Sequence, residues 1–191
     1  MSDEAVGQVR DEQLDAEREA RRRLALAQIR QYPDPVLRLT AGPVEAFDDD
    51  LRRLIERMRA LMLDARGVGL AATQVGIVRR LFVFQPDEEE ETLAVVNPEL
   101  VEASEELVSA EEGCLSLQGV LVPVERHLSA TLVGRDEDGG DLRLSLEGHA
   151  ARVAQHELDH LDGVLIIDRT TVEARREALA TLRPQPILGL R

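Results

Sequence analysis

The sequence predicts an α+β domain. Three observations carry this. Short strand-like runs fill the middle of the chain, from Arg80 to Leu146, and helical patterns flank them on both sides. Leu51, Leu54, Ile55, Met58, Leu61 and Met62 recur at helical spacing behind Asp48-Asp49-Asp50. Near the C-terminus, the stretch 151–163 places Val153, Ala154, Leu158 and Leu161 on one helical face and His156 and His160 four residues apart.

From the N-terminus, residues 1–28 are charged and rich in Ala, Glu and Arg. A helix is expected from Asp11 to Arg30, with Met1 to about Arg10 disordered. Arg21-Arg22-Arg23 reads as a solvated helix face. Tyr32-Pro33-Asp34-Pro35 breaks the helix, and the compact domain begins near Gln28. The acidic residues before Leu51 suit a helix N-terminus, and Met58 and Met62 fall on its apolar stripe. This helix ends near Arg66. Gly67-Val68-Gly69 follows, a pair of glycines that permits close backbone approach.

Strands are expected at Arg80–Phe84, Thr92–Val96, Glu99–Ala103, Val120–Val124, Ala130–Val133 and Leu142–Leu146. Asn97-Pro98 separates the second from the third, and 136–140 turns a hairpin between the last two. The helix with the paired histidines starts near Glu147 or Gly148, and Gly163 is a natural stop. Val164–Ile167 is a short apolar segment. A last helix spans Thr171 to Leu182 with Thr171 as N-cap, and Pro184 and Pro186 mark a tail. The organisation read from this is an extension over 1–28, a catalytic domain over 29–170, and a terminal helix and tail over 171–191.

Composition narrows the function. The net charge is −14, and all 23 basic residues are Arg, which argues against a general phosphate-binding surface and hence against direct DNA binding. Aromatics are only 2%, so Leu, Val, Ala and Ile must build the core. No apolar run reaches membrane-spanning length, and the acidic N-terminus lacks signal-peptide character. The expected location is the cytoplasm.

The chemistry lies in His156-Glu157-Leu158-Asp159-His160. Two histidines on one buried face need a partner, and a metal ion satisfies both, with Glu157 beside it. A chance match is a weak alternative, since the chain has four histidines and two are here. Catalytic sites add a third protein ligand. The best candidate is Cys114, the only cysteine, in Glu112-Gly113-Cys114-Leu115-Ser116; His127 and His149 are rivals. A metalloendopeptidase shares the histidine motif, and a non-catalytic peptide- or ribosome-binding protein is a further reading.

Three blocks together resemble the peptide deformylase family: 67–74 (GVGLAATQ), 112–116 (EGCLS) and 155–163 (QHELDHLDG). The opening 32–37 also looks like the family's start. The resemblance runs from about Ile29 to Arg169. It implies antiparallel β-sheets packed around a central helix that carries the histidine motif. It further implies that Cys114, His156 and His160 hold one divalent ion, Fe(II) first, with Zn(II), Ni(II) or Co(II) as substitutes. Glu157 becomes the general base and acid, while the Gln74 amide and the Leu115 N–H stabilise the oxyanion. Backbone around Gly67, Val68 and Gly69 would pair with the peptide as an added strand, and Val68, Leu70 and Val153 would wall an apolar pocket. The reaction implied is removal of the formyl group from N-terminal formyl-methionine of new chains, met at the ribosome. Two departures stand out. Gln118-Gly119 replaces a Pro-Gly pair, and Leu121 or Val122 falls where many members carry an Arg.

Overall fold

In the computed structural model, residues 3–87 and 89–183 are described, with side chains from residue 15 onward. Five helices and seven strands are described: α1 (Asp3–Leu26), α2 (Asp49–Asp64), β1 (Gly69–Ala71), β2 (Leu81–Phe84), β3 (Leu93–Ala103), β4 (Leu107–Gly113), β5 (Leu121–His127), β6 (Ser129–Arg135), β7 (Asp141–Glu147), α3 (Gly148–Leu161), α4 (Ile166–Arg169) and α5 (Val172–Leu182). Two short 3-10 turns sit at Pro35–Arg38 and Ala72–Val75. The fold is α+β, as expected.

Five strands form one antiparallel sheet in the order β1-β2-β3-β6-β7; β4 and β5 form a separate hairpin. Alternation along β2 explains the layering. Leu81 and Val83 point to one face, into a cluster with Ile55, Met58 and Met62 of α2. Phe82 and Phe84 point to the other, against Ala151, Ala154, Leu158 and Leu161 of α3. Their rings meet edge-on with centroids 5.5 Å apart. Each fully buried side chain of this kind stabilises the fold by roughly 1.5–3 kcal/mol. A third cluster joins Val122 and Val124 of β5 to Leu165, Ile166, Ile167 and Ala178. α3 therefore has the large sheet on one side and the β4–β5 hairpin on the other.

Several elements differ from expectation. α1 begins at Asp3, not Asp11, and ends at Leu26, not Arg30. The two strands expected on either side of Asn97 are one continuous β3. The break survives as an irregularity, with Asn97 at φ 51° and a register shift between Val96 and Glu99. Asn97 holds the bend by donating to the Val44 carbonyl and accepting from the Val44 N–H. β1 is a strand where only a glycine turn was read. β4 was missed because its burial pattern is exposed at every position except Glu112, so it carries no apolar alternation. The apolar segment after Gly163 runs into α4, which begins at Ile166. Pro184 and Pro186 lie outside the described residues.

Helix ends follow local chemistry. Asp48 caps α2 by accepting from the Leu51 N–H at 3.0 Å, and Thr171 caps α5 by accepting from Ala174 at 3.2 Å. Gly163 stands at φ 73°, just past α3, with the Arg38 carbonyl pressed against the place a Cβ would occupy (2.6 Å). That stop turns the chain sharply after the histidine motif.

Candidate metal centre

Three elements converge on one cleft: α3, the turn after β4, and the segment β1 to Val75. α3 presents His156 and His160 on one face, rings 4.9 Å apart. The turn after β4 brings Cys114 to them, with its Sγ 3.2 Å from His160 Nε2. The ligand atoms of Cys114, His156 and His160 all lie within 4.8 Å of one another. No other such group exists among the described residues. His127 and His149 line the same cavity but stand outside this group; His127 Nδ1 lies 2.6 Å from the Ser104 carbonyl, and His149 is exposed.

The donor set fits a divalent ion. One thiolate and two imidazoles match the soft-to-borderline ligands that Zn(II) and Fe(II) accept. His156 Nδ1 is engaged by Glu112 at 3.0 Å, leaving Nε2 as its ligand atom. At the cleft, the buried Glu157 Oε2 has no partner among the described residues. Orphaned polar atoms in an otherwise well-paired interior mark a place built for something more.

Beneath the histidines lies a buried charge network. Glu112 accepts from Arg126 Nε and Nη2 (3.0 Å each), from Arg152 (2.8 Å) and from His156, which saturates its lone pairs. Arg126 also reaches Asp159, which in turn accepts from Arg169 at 2.7 and 3.1 Å. Burial alone would raise the Glu112 carboxyl, but hydrogen bonds from His156 and Arg126 outweigh it and hold it down at about 2. Burial would likewise lower His156; contacts with Cys114 and Glu112 reverse this and lift it to about 10 in the metal-free chain. His160 is pushed well below its ordinary value by burial and by the charge of His156.

Glu157 is 3% exposed. Burial and the nearby Glu112 charge raise it to about 7, against the opposing pull of His156. An acid poised there can both take and give a proton near neutrality. Gly69 makes room for it: a Cβ at this position would sit 2.2 Å from Glu157 Oε1. Gln74 is fixed from both ends. Its Oε1 accepts from the Ala71 N–H at 2.8 Å, and its Nε2 donates to Ser116 Oγ at 3.1 Å and lies 3.7 Å from Cys114 Sγ. The Leu115 N–H donates to nothing among the described residues, while its carbonyl accepts from Gln31 at 3.0 Å.

A cavity of about 860 Å³ opens over these groups. Gly67, Val68, Gly69, Val153 and Leu115 line it. Leu70 does not. Its side chain is fully buried in the core beside α2, because β1 alternates and Leu70 faces away from the groove. Leu121 is 66% exposed and lines the groove, while Val122 is buried. Gln118 and Gly119 line the same end. Arg22, read as part of a solvated face, is a lining residue too.

Arg126, Arg152 and Ser116 were not singled out from the sequence. Arg126 could have been. It shares the inward face of β5 with Val122 and Val124, and an Arg on a buried face requires carboxylates opposite it. Asp159 proves to belong to that network, whereas Asp162 forms a more exposed pair with Arg80.

A thiol and two imidazoles gathered beside a buried acid tuned to neutrality define a metal-dependent hydrolase. The comparisons agree and go further. The profile described as "Polypeptide deformylase" matches residues 26–176. A peptide deformylase from Thermotoga neapolitana is 50% identical over 141 residues, 74% of this chain and 85% of that protein. One from Parafrankia sp. is 42% identical over 160 residues, 84% of this chain and 87% of that protein. The crystal structure of peptide deformylase from Thermotoga maritima superposes with a TM-score of 0.72 at 49% identity, covering 75% of this chain and 96% of that one. That of a Synechococcus elongatus peptide deformylase in complex with actinonin gives 0.77 at 40% identity, covering 80% and 85%. The chain belongs to the polypeptide deformylase family.

Proposed function

We propose that this chain hydrolyses the formyl group from N-terminal formyl-methionine of new polypeptides, with Cys114, His156 and His160 holding Fe(II), and Zn(II), Ni(II) or Co(II) able to substitute. The observation that carries the reading is the convergence of three ligand atoms within 4.8 Å beside an unpartnered Glu157 oxygen. When bound, such an ion supplies Lewis acidity and brings the pKa of water near neutrality.

The chain's own groups do the rest. The peptide lies extended along the free edge of β1, at the outer position of the sheet, with main-chain bonds to the 67–69 backbone. Val68 and Val153 receive the methionine side chain, whose flexible thioether suits an apolar wall. Glu157 takes the proton of the attacking water at Oε2. As the formyl carbonyl becomes an oxyanion, Gln74 Nε2 and the Leu115 N–H donate to it. Glu157 then returns its proton to the departing nitrogen, so water and the formamide become formate and a free amine. Residues 29–170 form the catalytic unit, with the extension before and α5 after it. The site of action is the cytoplasm, on chains still at the ribosome.

The test is formate release from formyl-Met-Ala-Ser by anaerobically purified, metal-analysed protein. The formyl peptide should react and its N-acetyl counterpart far more slowly, because the added methyl meets the crowded centre. Cleavage of internal peptide bonds with the formyl group retained overturns the reading. Cys114→Ala should lower bound metal per chain. Full occupancy at unchanged affinity removes Cys114 from the ligand set.

A further inference from the structure

The extension is not needed for any step above, yet its last turns reach the groove. Arg22 and Leu26 line the cavity beside Arg66, Gly67 and Val68. The contact is anchored: Leu26 packs with Leu115 against a core cluster that includes Ala25 and Ile29 of the same segment. The helix is therefore seated at the groove by buried contacts.

Two cations stand at this end. Arg66 is exposed, follows α2 in a left-handed conformation (φ 58°), and pairs with no carboxylate among the described residues. Arg22 has only Glu19, one turn back and 3.7 Å away, a half-exposed pair that contributes little. Its Nε is covered and lacks an acceptor among the described residues. The other charged lining groups are differently disposed. Arg152 is committed to Glu112 and to the carbonyls of Val108 and Val124, and Glu111 stands on β4 rather than on the α1–β1 side.

Their place along the groove follows from chain geometry. Gly69 abuts Glu157, and Arg66 lies three residues before it, at most about 10 Å away. A peptide paired with β1, with its formyl group at Glu157, advances roughly 3.4 Å per residue. Its third or fourth residue then arrives at Arg66 and Arg22.

We propose that Arg22 and Arg66 form a cationic subsite that selects an acidic side chain at the third or fourth residue of the formylated peptide. The inference rests on the deformylase reading above. It runs against the whole-molecule field, since a net charge of −14 repels acidic peptides. A preference for them must therefore come from local contacts.

Formate release is measured with the metal-loaded full chain on formyl-Met-Ala-X-Ala and formyl-Met-Ala-Ala-X amides, X being Glu, Gln or Lys. In one of the two series kcat/KM for Glu should exceed that for Lys by roughly three- to tenfold at low ionic strength. The gap should shrink near 0.5 M salt, roughly the range where exposed pairs are screened. The double variant R22E/R66E should reverse the order. The milder R22Q/R66Q should bring the ratio to one or below, which keeps the test open should the charge swap fail to fold. A wild-type ratio at or below one in both series overturns the subsite, as does a Glu preference that survives in R22Q/R66Q. Absence of formate from every peptide, Gln ones included, with metal bound, overturns the deformylase reading and the subsite with it.

Discussion

The two sides of the molecule solve burial in opposite ways. Between α2 and the large sheet, the interior is apolar: Leu51, Ile55, Met58, Met62, Leu81 and Val83 are all fully buried. Between α3 and the β4–β5 hairpin, the interior holds Glu112, Arg126, Asp159 and His160, each less than a tenth exposed. The first layer is held by area and shape, which many side chains can supply. The second is held by directed pairs among Glu112, Arg126 and Asp159, and none of these three can leave without stranding a charge. The difference teaches where precision is needed. α3 must present two imidazoles in one orientation, and the Glu112–Arg126–Asp159 chain locks the hairpin and the helix together at the histidines.

The largest effect expected from breaking this contrast is chemical. Glu157→Gln keeps the shape of the polar layer but cannot accept a proton. Turnover should fall on the order of two to four decades with bound metal unchanged. Near wild-type kcat, measured with metal content, would make Glu157 structural.

Next comes Arg126→Ala, which leaves Glu112 and Asp159 buried without their shared partner. A loss of about 3–5 kcal/mol in denaturant unfolding is expected, together with weaker metal binding as His156 loses its anchored neighbour. A loss under about 1 kcal/mol would mean that the network is solvated and positions nothing.

Met58 probes the apolar layer. Met58→Ala should destabilise by roughly 2–5 kcal/mol, whereas Met58→Leu should cost under about 1.5 kcal/mol. Neither should change metal affinity in the folded protein. Arg126→Lys, by contrast, keeps the charge but cannot reproduce the two-pronged grip on Glu112. If both conservative changes shift metal affinity equally, the two layers do not divide the work as described.

Acid sharpens the same contrast. Glu112 lies at about 2 in the folded chain against an ordinary 4.5. Its folded value is depressed, so its stabilisation is present above pH 4.5 and is lost as pH falls from there toward 2. Metal-free protein should lose stability over that window, and Glu112→Gln should flatten the dependence. An unchanged acid profile would contradict the assignment.

The smallest effect concerns the extension. Removing residues 1–18 takes away charged helix before the groove-lining turn. Kinetics on formyl-Met-Ala-Ser should change less than about twofold, since the described lining of the cavity begins at Arg22. A hundredfold loss in a folded protein would place that segment in the site.

Much of this was legible in the residues. The i, i+4 histidines, the stripe of α2 and the Gly163 stop are local in origin, because helical periodicity and caps depend on neighbours in sequence. Motif chemistry singled out Glu157 as well. Cys114 remained one of three candidate third ligands until the family resemblance chose it. What was misread depended on partners far along the chain. β4 has one buried side chain in seven residues, and that one is Glu112, so its strand character comes from pairing with β5. β1 was short enough to pass for a turn until Phe82–Phe84 paired with it. Leu70 looked like a pocket wall beside Val68, but sheet pairing decides which face of β1 sees the groove. Arg22 looked solvated because a helix pattern cannot say what lies across from it. Local chemistry in the chain determined which groups could carry the reaction. Only the tertiary structure decided how they are held, since the atoms that orient His156, Gln74 and Arg126 come from residues 44, 42 and 14 positions away.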